Sequence, residues 1–206
     1  MKIGIIGSGN IGGTLARRLR QLGHDLTLAN SRGPRSLAEF ARETGVAPGT
    51  VAEAADNDVV VIAIPLRAVR DLPAEAFAGR IVVDPNNYYP RRDGHITDID
   101  DGKTSARWVS EQLPGSRVVK VFNSIYASHL GRNGLPPGTA GRIALPVAAD
   151  DADAKRVVSG LVDELGFDPV DAGSLDESWR QEPGTPVYGA DLDAAGVERG
   201  LADAER

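Results

Sequence analysis

The stretch that most restricts what this chain can become is its first, MKIGIIGSGNIGGTLARRLRQLGHDLTLANSR over residues 1–32. It opens with Lys2 to Ile6, an apolar run long enough for a buried parallel strand. Gly7-Ser8-Gly9-Asn10-Ile11-Gly12 follows without a break and fits G-x-G-x-x-G. In that pattern Gly7 permits the tight turn, Gly9 lets a pyrophosphate approach the backbone, and Gly12 lets a helix lie close to the strand. Ile11, Leu15, Leu19 and Leu22 then form a helical stripe with Arg17, Arg18 and Arg20 off it, and Gly23 ends the helix. His24 to Asn30 supplies a second strand. A glycine turn alone is a weak signal. Placed between an N-terminal strand and a helix, with a second strand at the right distance, it predicts a dinucleotide site. A turn kept only for packing leaves Gly9 unexplained.

The end of the second strand selects the cofactor. An NAD site usually places Asp or Glu there, about 20 residues on, to accept the ribose hydroxyls. This chain has Asn30-Ser31-Arg32-Gly33-Pro34-Arg35, with no carboxylate. Arg32 and Arg35 offer guanidinium forks for a 2′-phosphate and Ser31 a further donor, so NADP(H) is the expected cofactor. The alternative leaves both arginines as solvated loop residues.

Further along, strand and helix patterns alternate. Ser36 to Thr44 reads as a short helix with Ser36 near its N-cap, residues 46–51 as a brief strand, and residues 52–55 as a turn of helix. Asp58 to Ile64 is apolar on both faces, as a central parallel strand should be, and Pro65 ends it. A short helix over 68–72 and a strand over 80–84 follow, then a long irregular stretch, Pro85 to Lys103. Thr104 or Ser105 caps a helix through Leu113; Arg117 to Phe122 is a strand, and Ile125 to Leu130 a short helix. Strands over 142–148 and 168–172 flank an amphipathic helix opened by Asp150 or Asp151. The alternation predicts an α/β fold: a Rossmann-like, doubly wound parallel sheet of about eight strands with helices on both faces, as a single domain with a short C-terminal appendage. Residues 1–172 are the expected NADP-binding Rossmann domain, and residues 173–206 a tail that meets substrate or a second copy. The ligand crevice should follow the strands' carboxyl ends, gathering Gly7 to Gly12, Ser31-Arg32, Ile64-Pro65, Asn86-Asn87 and Asn123-Ser124.

Composition removes several classes of function. A net charge of −6 without a basic patch argues against nucleic acid. With no Cys there is no disulfide and no thiolate chemistry, which fits a reducing compartment. The longest apolar run, Val59 to Pro65, is far short of a membrane span, and Met1 to Gly13 is too broken by glycine for a signal peptide. Three scattered histidines make no metal cluster. A cytoplasmic protein with a small-molecule redox substrate, and no nucleic acid, membrane or metal, is expected.

Hydride transfer to a flavin-like ring needs two rings held face to face and little acid–base machinery, whereas a carbonyl needs a proton donor. Candidates for that donor are few. His24 reads as structural, His95 and His129 face either crevice or solvent, Tyr88, Tyr89 and Tyr126 either stack on a ring or pack, and Lys120 points either way. No Tyr-x-x-x-Lys pair exists at Tyr126, since Leu130 stands at the lysine position, and no G-x-S-x-G elbow occurs. Asn123 directly follows an apolar strand, and its amide both donates and accepts. It is the candidate catalytic residue, with Asn87, Tyr88, Ser124 and Ile125 as further contacts to the second substrate; the alternative is that Asn123 only closes a turn. Ser124 is expected to cap the short helix behind it.

In order, the pieces IGIIGSGNIGG, ANSRGP, VVVIAIP, IVVDPNNYYPRRDGHI, VVKVFNSIYASHL and ALPVAADDADAK running into DELGFDPVDAGSL resemble the coenzyme F420-dependent NADP oxidoreductases and their bacterial dinucleotide-binding relatives. The resemblance covers roughly residues 1–175. It implies NADP(H), a deazaflavin (coenzyme F420) docked over the nicotinamide, and a homodimer. It also implies Ser8, Asn10 and Ile11 in the phosphate turn, Ser31 and Arg32 at the 2′-phosphate, and Ile64 and Pro65 beside the nicotinamide. Where the archaeal enzymes of that family have His-Thr-Ile-Pro after the strand at 117–122, this chain has Asn123-Ser124-Ile125-Tyr126. The loop at 85–103 is also longer and more polar, and the tail after Gly173 differs. The same unit resembles the NADPH-binding domain of membrane ferric reductases. An NADP(H)-dependent oxidoreductase using F420 is the leading expectation. An NADPH-dependent reductase of another small molecule and a non-catalytic NADP(H)-sensing module stand beside it; a sensor has no use for the polar loop from Asn86 to His95.

Overall fold

Period-two burial on the central strands requires a layer of helices on each face of the sheet. The computed structural model, which describes residues 1–206, has that architecture. Its strands are β1 (Lys2–Ile6), β2 (Asp25–Ala29), β3 (Ala47–Pro48), β4 (Val59–Ile62), β5 (Ile81–Asp84), β6 (Arg117–Lys120), β7 (Ala144–Ala149) and β8 (Asp168–Asp171). They form one sheet in the order β3-β2-β1-β4-β5-β6-β7-β8. Ile3, Ile5, Val59, Val61, Ile81 and Val83 face one core, whereas Ile6, Val60, Ile62 and Val82 face the other.

The first core is closed by α1 (Asn10–Gln21), which buries Leu15 and Leu19, and by α2 (Ala38–Thr44), whose Phe40 packs at its edge. The second is closed first by α3 (Val51–Ala55), whose Thr50 and Glu53 form a reciprocal capping box. Two single-turn helices, α4 (Pro90–Asp93) and α5 (Thr97–Asp100), lie in the loop after β5, so the stretch from Pro85 to Lys103 is less irregular than expected. Helix α6 (Ser105–Gln112), capped by Thr104, buries Trp108 and Val109 in the second core. Helix α7 (Ala127–Arg132) and α8 (Ala152–Glu164), capped by Asp151, return to the first core, with Leu130, Val158 and Leu161 facing in. Helix α9 (Ala194–Ala202) covers β7 and β8 through Val197 and Leu201. No helix is long and apolar enough to cross a membrane.

Two expectations need correction. The sheet is not wholly parallel: β7 runs antiparallel to β6, and β8 then pairs parallel with β7. A parallel return requires a crossover across the sheet face. Residues 121–143 hold only the six-residue α7, which lies against α1, so the chain re-enters the sheet from the edge at which it left. Ser36 is not an N-cap but part of a 3₁₀ turn (Pro34–Leu37), where its hydroxyl donates to Gly33 O at 2.8 Å. The chain from Gly173 onward packs on the sheet through a 3₁₀ segment (Leu175–Gln181) and α9.

Candidate active site

The turn between β1 and α1 carries three glycines under different constraints. Gly7 has φ +110°, and a Cβ there would fall 2.0 Å from Ala63 O. A Cβ on Gly12 would fall 1.9 Å from Gly7 O. Protein packing alone excludes a side chain at both. Gly9 is different: it is extended (φ −75°), and a Cβ there would meet nothing within 4 Å. Neither backbone conformation nor packing within the protein requires glycine at Gly9, and the space in front of it is open. Helix α1 has no side-chain cap and no acid in its first turn, so its leading N–H groups face that space unpartnered. An opening beside free N–H groups at a helix start suits a pyrophosphate.

At the end of β2, Asn30 stands where NAD-binding chains usually carry a carboxylate. Its Nδ2 donates to Ser8 Oγ at 3.1 Å, while its Oδ1 accepts from Arg32 N–H at 2.9 Å and from the Ser36 hydroxyl at 3.0 Å. Asn30 therefore ties the phosphate turn to the following loop, a role not read from the sequence. Arg32 lines a hollow of about 270 Å³ with Ser8, Arg17 and Ser36, and with Glu39 and Glu43. Ser31 and Arg35 are exposed outside it.

Across the turn, on the β4–β5–β6 side, lies a cleft of about 370 Å³. It brings together Gly9, Asn10, Ile11, Ile64, Pro65, Asn87, Asn123 and Ile125 from the expected set, and adds Tyr89, Arg92, Phe122, Tyr126 and Tyr188. Tyr88 and Ser124 do not line it. Tyr88 turns under the loop, where its hydroxyl donates to Asp100 Oδ1 at 2.8 Å and accepts from Ile96 N–H at 3.0 Å. Its neighbour Tyr89 takes the cleft wall instead, as adjacent residues of extended chain point opposite ways.

Asn123 lines the cleft floor. Phe122, with φ +65°, turns the chain sharply after β6, and the Asn123 amide is drawn inward. Its Nδ2 donates to Asn87 Oδ1 at 3.1 Å and to Gln181 O at 2.7 Å, and its Oδ1 accepts from Gln181 Nε2 at 2.8 Å. Both donors are used inside the protein, so the amide holds the cleft floor together and keeps only an acceptor position on Oδ1 for a ligand in the cleft it lines. Ser124 does not cap α7, whose N-cap is Tyr126; its carbonyl instead accepts from Gly189 N–H at 2.7 Å.

A second buried network lies beside the first. Lys120 Nζ, fully buried, donates to Asp84 Oδ2 and Ser105 Oγ, each at 3.0 Å, and to Asn86 O. The Ser105 hydroxyl donates to Glu182 Oε1 at 2.6 Å. Gln181 and Glu182, neighbours in the tail, thus enter the two networks under Asn87 and Asn86. The only trace in the sequence was an Asp and a Lys closing two apolar strands, and these pair in register across β5 and β6.

At the cleft mouth, the Tyr89 and Tyr188 hydroxyls meet at 2.7 Å. Burial, and then the hydrogen bond with Tyr89, push the Tyr188 hydroxyl above the ordinary tyrosine range. Arg92 lies 4.9 Å over the Tyr89 ring and donates to Asn87 O and Asp93 Oδ2, each at 2.8 Å. Burial alone would raise the Asp93 pKa, but hydrogen bonds from Arg92 and from the Tyr89 N–H outweigh it and hold the carboxyl below its ordinary value. None of the three histidines lines the cleft: His24 pairs with Glu164, His95 with Asp100 and His129 with Asp191.

Residues 2–88 match the family described as NADP oxidoreductase, coenzyme F420-dependent. Hypothetical protein SMa0349 of Sinorhizobium meliloti is 34% identical, with a TM-score of 0.81 over 93% of this chain and 95% of that one. A protein of Arthrobacter sp. FB24, provisionally assigned as an F420-dependent NADP-reductase, is 29% identical, with a TM-score of 0.72 over 85% and 86% of the two chains. Metalloreductase STEAP3 of Rattus norvegicus is 28% identical over 176 residues, 84% of this chain and 34% of that one. The chain spans only 54% of one curated relative and about a third of the others it matches.

Proposed function

This chain belongs to the coenzyme F420-dependent NADP oxidoreductase family, and from that premise we propose that it moves hydride between NADP(H) and the deazaflavin coenzyme F420. The observation that carries the dinucleotide half is Gly9, where the fold leaves room that no side chain of the protein uses. Bound NADP(H) supplies or accepts two electrons and one proton as hydride; a second proton is exchanged with solvent. The chain's own part is to bind and orient. The leading N–H groups of α1 hold the pyrophosphate, and Arg32, whose guanidinium has no hydrogen-bond or ion-pair partner in the protein, holds the 2′-phosphate. Ile64, Pro65 and Ile125 offer the nicotinamide an apolar bed that excludes water.

The deazaflavin half is supported by what lines the cleft. It holds no His, Lys, Asp or Glu, and one of its tyrosines is held above the ordinary range. A carbonyl or imine reductase needs a donor poised near neutrality, whereas ring-to-ring hydride transfer does not. The aromatic faces of Tyr89 and Tyr126 suit a flat ring.

Anaerobic stopped-flow mixing of the protein with NADPH and F420 tests the reading. Loss of oxidised deazaflavin absorbance with NADPH, and far less with NADH, is the expected result. No turnover with F420 by a protein that binds NADPH overturns the deazaflavin half and turns attention to other small acceptors. No NADPH binding overturns the whole.

A further inference from the structure

The groove between α1 and α7, about 890 Å³, begins at the phosphate turn but extends beyond what a dinucleotide there would fill. It shares Gly9, Asn10, Tyr126 and Ala127 with the nicotinamide-side cleft and Ser8, Arg17 and Phe40 with the Arg32 hollow, but it continues beyond both along α1 as far as Gln21. At 1.5 Å per residue that path is about 16 Å, well past any phosphate seated at the first turn of α1. Its walls carry three guanidiniums, Arg17, Arg18 and Arg132, and no carboxylate, on a chain whose net charge is −6.

The three arginines are held differently. Arg18 donates to Gly131 O at 3.1 Å and Leu165 O at 2.8 Å, which fixes α7 against α1 and sets the width of the groove. Arg17 lies 4.3 Å over the Phe40 ring and only 3.6 Å from the exposed Glu43 carboxylate. Arg132 has no carboxylate and no hydrogen-bond acceptor within reach, whereas Arg80, Arg92, Arg107, Arg142 and Arg180 are all paired with acids. Two guanidiniums facing a carboxylate-free groove match carboxylate or phosphate geometry.

We propose that this groove binds the anionic side chain of the second substrate, a chain bearing carboxylates or phosphate, while its redox ring lies in the adjoining cleft. The inference rests on the hydride-transfer reading for the identity of the ring, but the anion site can be measured without turnover. NADP⁺-saturated protein is titrated by calorimetry with triglutamate and, separately, with tripolyphosphate, as carboxylate and phosphate sources. Saturable binding of at least one probe is expected. It should weaken at least tenfold in Arg132→Glu and with rising salt, and be unchanged in Arg199→Glu, an equal charge change on the distant α9. In turnover, Arg132→Glu should raise KM at least tenfold for F420 and leave it unchanged for the same deazaflavin lacking its anionic chain.

Binding of neither probe, or equal loss in both variants, overturns the anion site. Anion binding that is lost in Arg132→Glu, in a protein that does not reduce F420, leaves the groove standing and removes the deazaflavin. Turnover of F420 with a KM indifferent to Arg132→Glu removes the groove and leaves the deazaflavin.

Discussion

Gln181 Nε2 donates to Asn123 Oδ1 at 2.8 Å, joining the tail to the turn after β6 across 58 residues of chain. Because Asn123 also donates to Gln181 O and to Asn87 Oδ1, one buried amide holds the tail and the loop after β5 together. Asn123→Leu keeps the volume and removes every one of those bonds. It should cost about 1–3 kcal/mol for each buried group left unpaired. Urea unfolding should show a lower midpoint with an unchanged slope. Of the bonds with Asn123, Gln181→Leu removes only the one from Nε2 to Asn123 Oδ1 and leaves its own carbonyl to accept from Asn123, so the double variant should fall short of the sum of the two by about the worth of that one shared bond. Strict additivity would mean the two side chains do not act as a unit.

Gly9 and Gly12 separate ligand constraint from packing constraint. A Cβ at Gly9 meets nothing within 4 Å, so Gly9→Val should fold with stability within about 1 kcal/mol of wild type and lose NADPH binding. Gly12→Ala drives a Cβ to within 1.9 Å of Gly7 O and should destabilise the fold itself. Thermal melts and NADPH fluorescence titration on both variants check this. Normal NADPH affinity in Gly9→Val would make the opening incidental.

Much of this molecule was legible because local signals agreed. The strand–glycine–helix start and the apolar runs at 59–62 and 81–84 follow from neighbours in sequence, and so do the two caps to within one residue, the structure choosing Thr104 over Ser105 and Asp151 over Asp150. What could not be read depends on long-range partners. The reversal of β7 depends on where residues 121–143 pack, since β7 itself has the same apolar pattern in either direction. Asn123 was rightly put at the sheet edge, but its amide's direction is decided by Phe122's left-handed backbone and by Gln181. Tyr88 and Tyr89 differ only in which side of an extended segment each occupies, and no feature of the sequence fixes that register.

Arg32 is the residue proposed to select the cofactor. With no carboxylate at the end of β2 and a guanidinium free of protein partners, Arg32→Ala should weaken NADPH and leave NADH nearly unchanged. A charge-assisted hydrogen bond is worth about 1.5–3 kcal/mol, so the loss should be roughly 10- to 150-fold in affinity. Calorimetric titration with both nucleotides decides it, and equal loss for both would remove the 2′-phosphate role.

Asp93 should make the cleft wall acid-sensitive. Its folded pKa lies below the ordinary 3.8, so ionised Asp93 stabilises the fold at any pH above that value, and the contribution disappears as pH falls through the lowered one. Asp93→Asn should therefore be less stable than wild type at neutral pH, with the gap closing on the acid side of pH 3.8. Arg92, its hydrogen-bond partner, should lose its fixed position over Tyr89. Unfolding curves from pH 7 down to about 2.5 read the gap, and a gap constant with pH would contradict the ion pair.

The Lys120–Asp84 pair separates stability from positioning. Both side chains are fully buried, and removal of one partner leaves the other charge without compensation. Lys120→Met should destabilise by about 3–5 kcal/mol, while Asp84→Leu with Lys120→Met should recover most of that, because buried pairs are often replaceable by apolar side chains. The recovery has a limit, since Lys120 also donates to Asn86 O and Ser105 Oγ, and Asp84 accepts from Asn86 N–H at 2.9 Å. Asn86 lines the cleft, and its Nδ2 donates to Ile62 O at 2.8 Å, so its backbone sets the height of the floor beside Ala63 and Ile64. The double variant should thus melt near wild type yet hold the nicotinamide poorly, with NADPH affinity down about tenfold, or about 1.4 kcal/mol. If the restored fold brought full NADPH affinity with it, the pair would be structural only, and the floor would owe its position to the Asn123–Gln181 network.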